Sequence, residues 1–236
     1  MTSSDAHSEA PRRHKLLYGR HKGPKLSAYQ AGLLESVLPQ ISLAPQSGTD
    51  PKTWFPPGSV GEVWLEVGFG AGEHLAAQAA ANPGAGLIGV EPYIAGMAKL
   101  LARLTAQQLH NVRVYQSDAR DIIDALPDAS LHKVFVLFPD PWPKKRHHKR
   151  RFISVETLDR LARVMRPGAE LRFSTDDQGY LVWVLERLTA HPCFRWLVQG
   201  PADWRMRPTD WPETRYESKA KQAGRVCTYL RFARRE

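Results

Sequence analysis

The chain has 236 residues, of which 42% are hydrophobic, and this length and apolar content fit one large domain with a substantial core. Its formal net charge is +9 and its pI is near 9.7. The excess cations are concentrated near the N-terminus, at residues 144–151 and near the C-terminus, which favours a nucleic-acid partner over a merely soluble surface.

The same sequence argues against three classes of protein: membrane-spanning, secreted and metal-binding. No apolar run approaches the roughly 20 residues that a membrane-spanning helix needs, and the polar N-terminus lacks the apolar segment of a signal peptide. Cys193 and Cys227 are isolated from each other and lack metal-ligand or redox spacing. We therefore expect a cytoplasmic protein with two reduced thiols, no metal site, no membrane partner and no obligate protein partner.

The first quarter of the chain is irregular. Residues 1–17 are polar and aperiodic, which predicts a disordered tail. Residues 18–27 are basic and punctuated by glycine, and they predict an arm that either stays solvated or orders against phosphates. A short helix is predicted at 28–38, and residues 44–59, rich in Pro and Gly, predict a linker or loop. We expect a single domain over 18–236.

From residue 62 onward, predicted strands alternate with predicted helices. Strands are predicted at 63–67, 87–90, 112–115, 131–138, 169–174 and 225–232. Helices are predicted at 73–81, 94–109, 155–165 and 178–188, and the Arg-Pro-Gly sequence at 166–168 is expected to end the third of them. This alternation predicts an α/β fold with a mostly parallel central sheet and helices on both faces.

A glycine-rich loop follows the first predicted strand. Glycines allow tight turns and close approach of the backbone to a ligand, and the helix that follows offers free N–H groups. The spacing is Gly68-x-Gly70-x-Gly72, and Glu73 occupies the place of the third glycine in a dinucleotide fingerprint. The Gly-Lys-Ser/Thr sequence of a phosphate-binding P-loop is also missing. The loop therefore indicates a nucleoside-containing ligand but argues against a nicotinamide dinucleotide.

Acidic residues recur at the ends of the first four predicted strands: Glu66, Glu91, Asp118 and Asp140. One such residue is most often a helix cap or a turn former. Four of them at the carboxyl edge of one sheet instead suit ribose hydroxyls, the adenine amino group or a positively charged ligand. They would repel a pyrophosphate. A nucleoside cofactor that carries cations rather than phosphates is S-adenosylmethionine.

The segment 138–151 joins a restrained carboxylate to a dense cluster of cations. It begins Phe-Pro-Asp-Pro-Trp-Pro, so that three prolines restrict the backbone around Asp140. It continues Lys-Lys-Arg-His-His-Lys-Arg-Arg. Most charge runs are only solvated loops. The abrupt succession of acid, Trp142 and polycation at a strand end instead predicts an active-site edge beside a polyanion.

These motifs together resemble a known family. The sequences LEVGFGAG at 65–72, VEP at 90–92, SDA at 117–119 and FPDPW at 138–142 are similar to those of Rossmann-type, S-adenosylmethionine-dependent methyltransferases of class I. The FPDPWPK loop with its basic tail, STD at 174–176 and TRYE at 214–217 resemble more specifically the bacterial tRNA (guanine-N7-)-methyltransferases of the TrmB type. The resemblance covers about residues 18–236, and the last two motifs are far more restrictive than the glycine loop.

The resemblance implies roles on the cofactor side. Glu91 would bind the ribose hydroxyls and Asp118 the adenine edge. Glu66 and the loop with Gly68, Gly70 and Gly72 would line the methionine portion. Asp140 would lie between the cofactor and the target base, as both a cofactor-binding and a catalytic residue.

The resemblance also implies a substrate side. The positions that match the family's substrate-binding residues are Lys144, Asp176, Thr214, Arg215, Tyr216 and Glu217. The RNA-contacting loop corresponds to Arg146, His147, His148, Lys149, Arg150 and Arg151. The implied reaction is methylation of N7 of guanine in tRNA, at position 46 of the variable loop.

Several assignments stay open on the sequence alone. Glu217 is either a reader of the guanine N1–H and amino edge or a surface acid near Arg215. Trp142 either stacks on a base or packs within its turn, and Trp204 and Trp211 belong either to a lid or to packing. The rival functions are a methyltransferase for another RNA site or for a protein, a nicotinamide-dependent oxidoreductase, and a non-enzymatic RNA-binding module.

Overall fold

The computed structural model describes residues 25–236, so the predicted tail at 1–17 and residues 18–24 of the predicted arm lie outside the described residues. The strands are β1 (Glu62–Val67), β2 (Ala85–Val90), β3 (Val112–Tyr115), β4 (Leu131–Leu137), β5 (Met165–Thr175), β6 (Phe194–Trp196) and β7 (Thr228–Arg234). The α-helices are α1 (Ala28–Ser36), α2 (Leu38–Ile41), α3 (Glu73–Ala81), α4 (Ile94–Ala106), α5 (Ala119–Ala125), α6 (Val155–Val164), α7 (Gln178–Ala190), α8 (Ala202–Arg205) and α9 (Arg215–Gln222). Short 3₁₀ turns span Pro51–Trp54 and Lys145–Arg150.

All seven strands form one sheet in the order β3-β2-β1-β4-β5-β7-β6. The strands β1 to β5 run parallel to one another, whereas β7 runs antiparallel to both β5 and β6. The chain builds outward from β1 to β2 and β3, then returns to β4 on the other side of β1. The strand order therefore reverses between β1 and β4, and in open α/β sheets ligands bind at such a reversal.

Alternate side chains of the central strands enter two separate hydrophobic clusters. Val63, Leu65 and Val134 belong to a cluster with residues of α5, α6 and α7. Trp64 and Phe135 belong to a second cluster with residues of α1, α3 and α4. The two-residue alternation of a strand sends neighbouring side chains to opposite faces. The predicted fold class is thus confirmed: the sheet is mostly parallel and carries helices on both faces.

Most predicted elements are present within one to three residues of their expected bounds, and α3 and β3 have the bounds that were predicted. Helix α6 ends at Val164, just before residues 166–168, but these residues are themselves part of β5. The pairing of β4 with β5 is irregular between Leu131 and Lys133, so Pro167 lies where the ladder is interrupted. The final strand starts at Thr228 and not at residue 225. The helices α2, α5, α8 and α9 and the strand β6 were not predicted.

Residues 44–59 are mostly loop, as predicted, but they are not a free linker. The segment contains the 3₁₀ turn Pro51–Trp54, and Phe55, which follows this turn, has a buried side chain. The Arg113 guanidinium lies 4.9 Å from the centre of the Phe55 ring, and its Nε donates to the Trp54 carbonyl oxygen at 2.7 Å. Aromatic burial and these contacts fasten the segment to the edge of the sheet.

Gly86 in β2 is the position that Phe55 packs against. A Cβ at Gly86 would lie 2.6 Å from Phe55 Cε2, which is closer than van der Waals contact allows. We predict that Gly86→Ala lowers the free energy of unfolding by about 1–3 kcal/mol, because the ring must move out of a packed site. Urea or thermal denaturation measures this change.

Gly32 in α1 provides the matched control. A Cβ there would meet no described atom within 4 Å, and the position is exposed. Gly32→Ala should therefore raise the free energy of unfolding by about 0.5–1 kcal/mol through helix propensity. Equal effects of the two substitutions would show that Phe55 is not fixed against β2.

A candidate active site at the carboxyl edge of the sheet

The glycine loop connects β1 to α3 at the point where the strand order reverses. Gly68, Gly70 and Gly72 have φ angles of +71°, +58° and +73°, in the region that favours glycine. Gly72 is also the N-cap of α3, and a Cβ there would lie 2.5 Å from Leu100 Cδ1. The loop therefore needs glycine for its backbone shape and, at Gly72, for its close packing on α4.

Glu91 fastens this loop to the end of β2. Its Oε2 accepts a hydrogen bond from the Gly70 N–H at 2.9 Å, and its Oε1 accepts one from the Tyr93 N–H at 3.0 Å. Burial raises the pKa of Glu91 above its ordinary value despite these bonds, and the negative charges of Asp140 and Glu66 add to the effect. Ionisation of Glu91 therefore costs stability as the pH rises through this raised pKa, and a cation beside it would recover that cost.

Glu66 is paired with a histidine that the sequence analysis did not single out. The two side chains are buried, and Glu66 Oε2 lies 2.7 Å from His74 Nδ1. The His74 ring also lies edge-on against Phe135, at 4.6 Å between centroids. The sequence signal was the position of His74 in the first turn of α3, two residues after the last glycine.

Asp118 and Asp140 lie on the other side of the loop. Asp118 caps α5, since its Oδ1 accepts from the Arg120 N–H at 2.9 Å, and its Oδ2 lies 3.0 Å from the Arg120 guanidinium. The capping role is the one that a single strand-end acid most often has. Asp140 is exposed in the loop after β4, between two prolines. The two carboxylates thus line the same cleft with different partners.

Two clefts adjoin at Gly68. The walls of the first include Gly68, Asp118, Asp140, Trp142, Arg150 and Phe152. The walls of the second include Glu66, Gly68, Gly70, Phe138, Thr214 and Tyr216. The fold therefore brings most of the predicted cofactor residues, and part of the predicted substrate motif, to one sheet edge.

The backbone of the loop after β4 is unusual at two residues. Phe138 and Trp142 have φ angles of +48° and +45°, which side-chain-bearing residues rarely adopt. Such conformations cost about 1–3 kcal/mol each and concentrate at functional sites. Phe138 lines the second cleft and Trp142 the first, so this loop contributes an aromatic wall to each.

The basic loop forms the 3₁₀ turn Lys145–Arg150 and presents most of its cations to solvent. The exposed cations are Lys144, Lys145, Arg146 and Lys149. The guanidinium of Arg150 lies 4.8 Å from the Trp142 ring centre and lines the first cleft. Partial desolvation and the neighbouring cations Arg150 and Arg146 lower the pKa of His147.

Arg151, for which the sequence predicts an RNA contact, does not belong to the exposed cations. Only 3% of its surface is exposed. Its Nε donates to the Pro141 carbonyl oxygen at 2.8 Å, and its guanidinium lies 4.9 Å from the ring centres of Tyr180 and Trp183. His148 also packs on Trp183, at 5.2 Å between rings. These contacts fasten the basic loop to α7.

The TRYE motif forms the start of α9. Thr214 is its N-cap and accepts from the Glu217 N–H at 3.2 Å, which is one half of a capping box. The Glu217 carboxylate is only 1% exposed. It accepts from the Tyr229 hydroxyl at 2.5 Å and pairs with Lys221 at 2.7 Å and Arg207 at 3.1 Å. Glu217 is therefore not a surface acid, and its part in reading the guanine edge stays a prediction.

Asp176 follows β5 and lies beneath the same helix. Its side chain is 5% exposed, and its Oδ2 lies 2.8 Å from Arg225 Nη1. The Tyr216 hydroxyl donates to its Oδ1 at 3.4 Å. Asp176 and Tyr216, two of the predicted substrate residues, are thus brought into contact.

The remaining tryptophans are packing residues. Trp211 is buried, with ring centroids 6.3 Å from His74 and 5.8 Å from Tyr229, so the lid interpretation is wrong for it. Trp204 packs against the main hydrophobic cluster.

Over residues 25–236, no group of His, Cys, Asp or Glu side chains could hold a metal ion. No helix in this range has the length and apolar character needed to cross a bilayer.

Comparison with known proteins places the chain in a family. A family described as putative methyltransferase matches residues 61–230. The tRNA (guanine-N(7)-)-methyltransferase of Rhodospirillum rubrum is 50% identical over 233 residues, covering 96% of this chain and 91% of that protein. The protein of the same name from Paramagnetospirillum magneticum is 48% identical over 237 residues, covering 99% and 97%.

Solved structures agree on the fold. The 16S rRNA methyltransferase KamB matches with a TM-score of 0.54 at 17% identity, over 81% of this chain and 96% of that one. An rRNA methylase from Streptococcus thermophilus matches with a TM-score of 0.51 at 11% identity, over 74% and 87%. These likenesses support the Rossmann-like fold alone, whereas the sequence relatives carry the family: the chain belongs to the tRNA (guanine-N(7)-)-methyltransferases.

Proposed function

We propose that this protein transfers a methyl group from S-adenosylmethionine to N7 of a guanine in tRNA, and that the guanine is at position 46 of the variable loop. The relatives are named for that reaction on tRNA and match nearly the whole chain. The structural observation that carries the proposal is the pair of clefts that meet at Gly68. The walls of the first include the carboxylates of Asp118 and Asp140 together with the arginines Arg120 and Arg150. The walls of the second include the aromatic rings of Phe138 and Tyr216. A cofactor and a base can occupy adjoining sites there.

The residues of the first cleft and of the loop fit a cationic nucleoside cofactor. A Cβ at Gly68 or Gly70 would meet no described atom within 4 Å, so the bare backbone leaves a cradle that side chains would fill. Burial, with a smaller contribution from the negative charges of Asp140 and Glu66, raises the pKa of Glu91, and a cationic ligand beside it would offset this effect. S-adenosylmethionine supplies two cations and, on its sulfonium, an electrophilic methyl group.

We assign the cofactor contacts as follows. Glu91 and Asp118 would hold the nucleoside, and Glu66 with the backbone of the glycine loop would hold the methionine portion. His74 would fix the orientation of Glu66 by its hydrogen bond at 2.7 Å. Asp140, exposed on the wall of the first cleft, would face both cofactor and base.

Guanine N7 carries a lone pair and no proton, so methylation there needs no general base. The ring gains a positive charge as the N7–carbon bond forms, and a nearby carboxylate favours that charge. We therefore propose that Asp140 orients the base and stabilises the developing cation, and does not remove a proton.

The tRNA would meet the protein at the basic loop and at α9. Lys144, Lys145, Arg146 and Lys149 are exposed and would contact phosphates, which gives salt-dependent affinity with little sequence preference. Asp176, Thr214, Arg215 and Tyr216 would line the base site, and Lys144 would act beside them. A tRNA substrate places the enzyme in the cytoplasm, and the proposal needs no protein partner.

The reaction is tested with labelled S-adenosylmethionine and unmodified tRNA transcripts, followed by cleavage selective for N7-methylguanosine. We expect label at one guanosine of the variable loop. Label at another nucleotide, or only in other RNAs, would keep the cofactor assignment and overturn the substrate. The absence of cofactor binding would overturn the assignment of the strand-end acids.

Asp140→Asn tests the electrostatic role. The substitution keeps the shape of the side chain and removes its charge, so we expect the turnover number to fall about 10²–10³-fold, as for loss of one preorganised electrostatic group. The tRNA dissociation constant should stay within about two-fold of wild type, because phosphate contacts supply most of that affinity. Turnover within a few-fold of wild type would exclude this role.

The triple substitution of Lys145, Arg146 and Lys149 by Gln tests the basic loop. Three lost phosphate contacts should reduce the slope of log affinity against log salt by about 2–3. Arg150 and Arg151 are left intact, because one lines the first cleft and the other is buried. Lys52→Gln, an exposed cation ahead of the amino end of β1, is the control and should leave the slope unchanged. A triple variant with the wild-type slope would remove the loop from the RNA interface.

A further inference from the structure

Helix α9 ends in a turn that directs Arg225 back toward the sheet. Gly224 has φ +70°, and its N–H donates to the Lys221 carbonyl oxygen at 2.9 Å. The Arg225 N–H donates to the Ala220 carbonyl oxygen at 2.9 Å. This pair of bonds around a left-handed glycine is a Schellman motif, which reverses the chain at a helix end. The position of Arg225 is therefore set by the helix that carries Tyr216.

Arg225 and Tyr216 converge on one buried carboxylate. Arg225 Nη1 lies 2.8 Å from Asp176 Oδ2, and the Tyr216 hydroxyl donates to Asp176 Oδ1 at 3.4 Å. The Arg225 guanidinium also lies 6.0 Å from the centre of the Tyr216 ring. A carboxylate that is 95% buried needs such partners, because an unpaired buried charge is strongly destabilising. The three side chains thus form one unit that spans the sheet edge and α9.

The Tyr216 ring in this unit is a wall of the second cleft. It lies 5.2 Å from the Phe138 ring, with 38° between the ring planes, and 44% of its surface is exposed. Phe138 precedes Asp140 by two residues in the loop after β4. Aromatic side chains with an accessible face are the usual stacking partners of unpaired bases in RNA recognition. A base bound in the second cleft would therefore meet this aromatic pair.

We propose that Arg225 is a positioning residue for the target base: through its ion pair with Asp176 it fixes the Tyr216 ring against Phe138 as a wall of the base site. The inference rests on the proposed function, and it adds a residue outside the TRYE motif. A direct phosphate contact by Arg225 is the competing explanation, since 49% of its side chain is exposed. Loss of a positioning residue should lower the turnover number, whereas loss of a phosphate contact should weaken tRNA binding.

Arg225→Gln separates them when turnover and tRNA affinity are measured at saturating cofactor. Loss of positioning should lower the turnover number about ten-fold or more, while the tRNA dissociation constant stays within about two-fold and its salt slope is unchanged. Arg225→Lys should restore at least part of the turnover, since it keeps the ion pair. Unchanged turnover with weaker binding and a salt slope reduced by about one would overturn the proposal in favour of a phosphate contact.

A control substitution removes one cation without touching this unit. Arg160→Gln breaks remote ion pairs with Asp124 at 3.0 Å and Glu156 at 2.7 Å. This variant should keep wild-type turnover, and a turnover loss as large as that of Arg225→Gln would overturn the proposal.

A double-mutant cycle keeps the test valid if Arg225→Gln unfolds. Arg225→Met, which removes the charge and keeps a long side chain, and Tyr216→Phe are measured singly and together, because both act through Asp176 in our proposal. Non-additive losses of turnover support it, and additive losses overturn it. Calorimetric titration with S-adenosylmethionine should give the wild-type dissociation constant in every variant. A wild-type protein that binds cofactor but methylates no tRNA would refute the proposed function itself, before any variant is compared.

Discussion

The parallel pairing of β1 with β4 is the contact on which the candidate site depends. Its register places Glu66 opposite Phe135 and Val67 opposite Val136, so both strands end at the same level of the sheet. The chain enters the glycine loop from one strand and the Phe-Pro-Asp-Pro-Trp loop from the other. Because the strands beyond β1 and β4 lie on opposite sides, no crossover helix covers the gap between them. The crevice is thus a consequence of topology, and the side chains determine what it can hold.

The carboxylates at this edge repel one another and are partly removed from water, which is unfavourable. Most of them are therefore held by hydrogen bonds or ion pairs. Glu91 has its pKa raised by burial and by Asp140 and Glu66, yet two backbone N–H groups keep its position fixed. Glu66 is paired with His74 and Asp118 with Arg120, so these acids are oriented before any ligand arrives. A cationic ligand gains most where such charges are already fixed and poorly solvated.

The sequence predicted the features that local patterns determine. It did not predict which side chains are buried by residues far away in the chain. The strands, the glycine loop and the strand-end acids follow from periodicity and spacing, and they were predicted. Arg151 looks like its neighbour Arg150 in sequence, but Tyr180 and Trp183, about thirty residues later, bury it. Glu217 is buried and contacts Tyr229 and Arg207, and no local sequence pattern predicts these contacts. Helix α9, in contrast, was predictable from the Ser/Thr-x-x-Glu capping pattern and the glycine that ends it.

The two sides of the site are held by different kinds of contact. The cofactor side rests on a parallel sheet and its buried apolar clusters, which salt hardly affects. Helix α9 has eight residues, too few to be stable alone. Its position therefore depends on the contacts of Glu217 with Tyr229 and Arg207, on the burial of Ala220 and on the Arg225–Asp176 ion pair. The ion pair is partly exposed and therefore weakened by salt. The base site should consequently loosen at ionic strengths that leave the cofactor cleft intact, so that salt lowers turnover through α9 separately from its effect on the phosphate contacts that supply tRNA affinity.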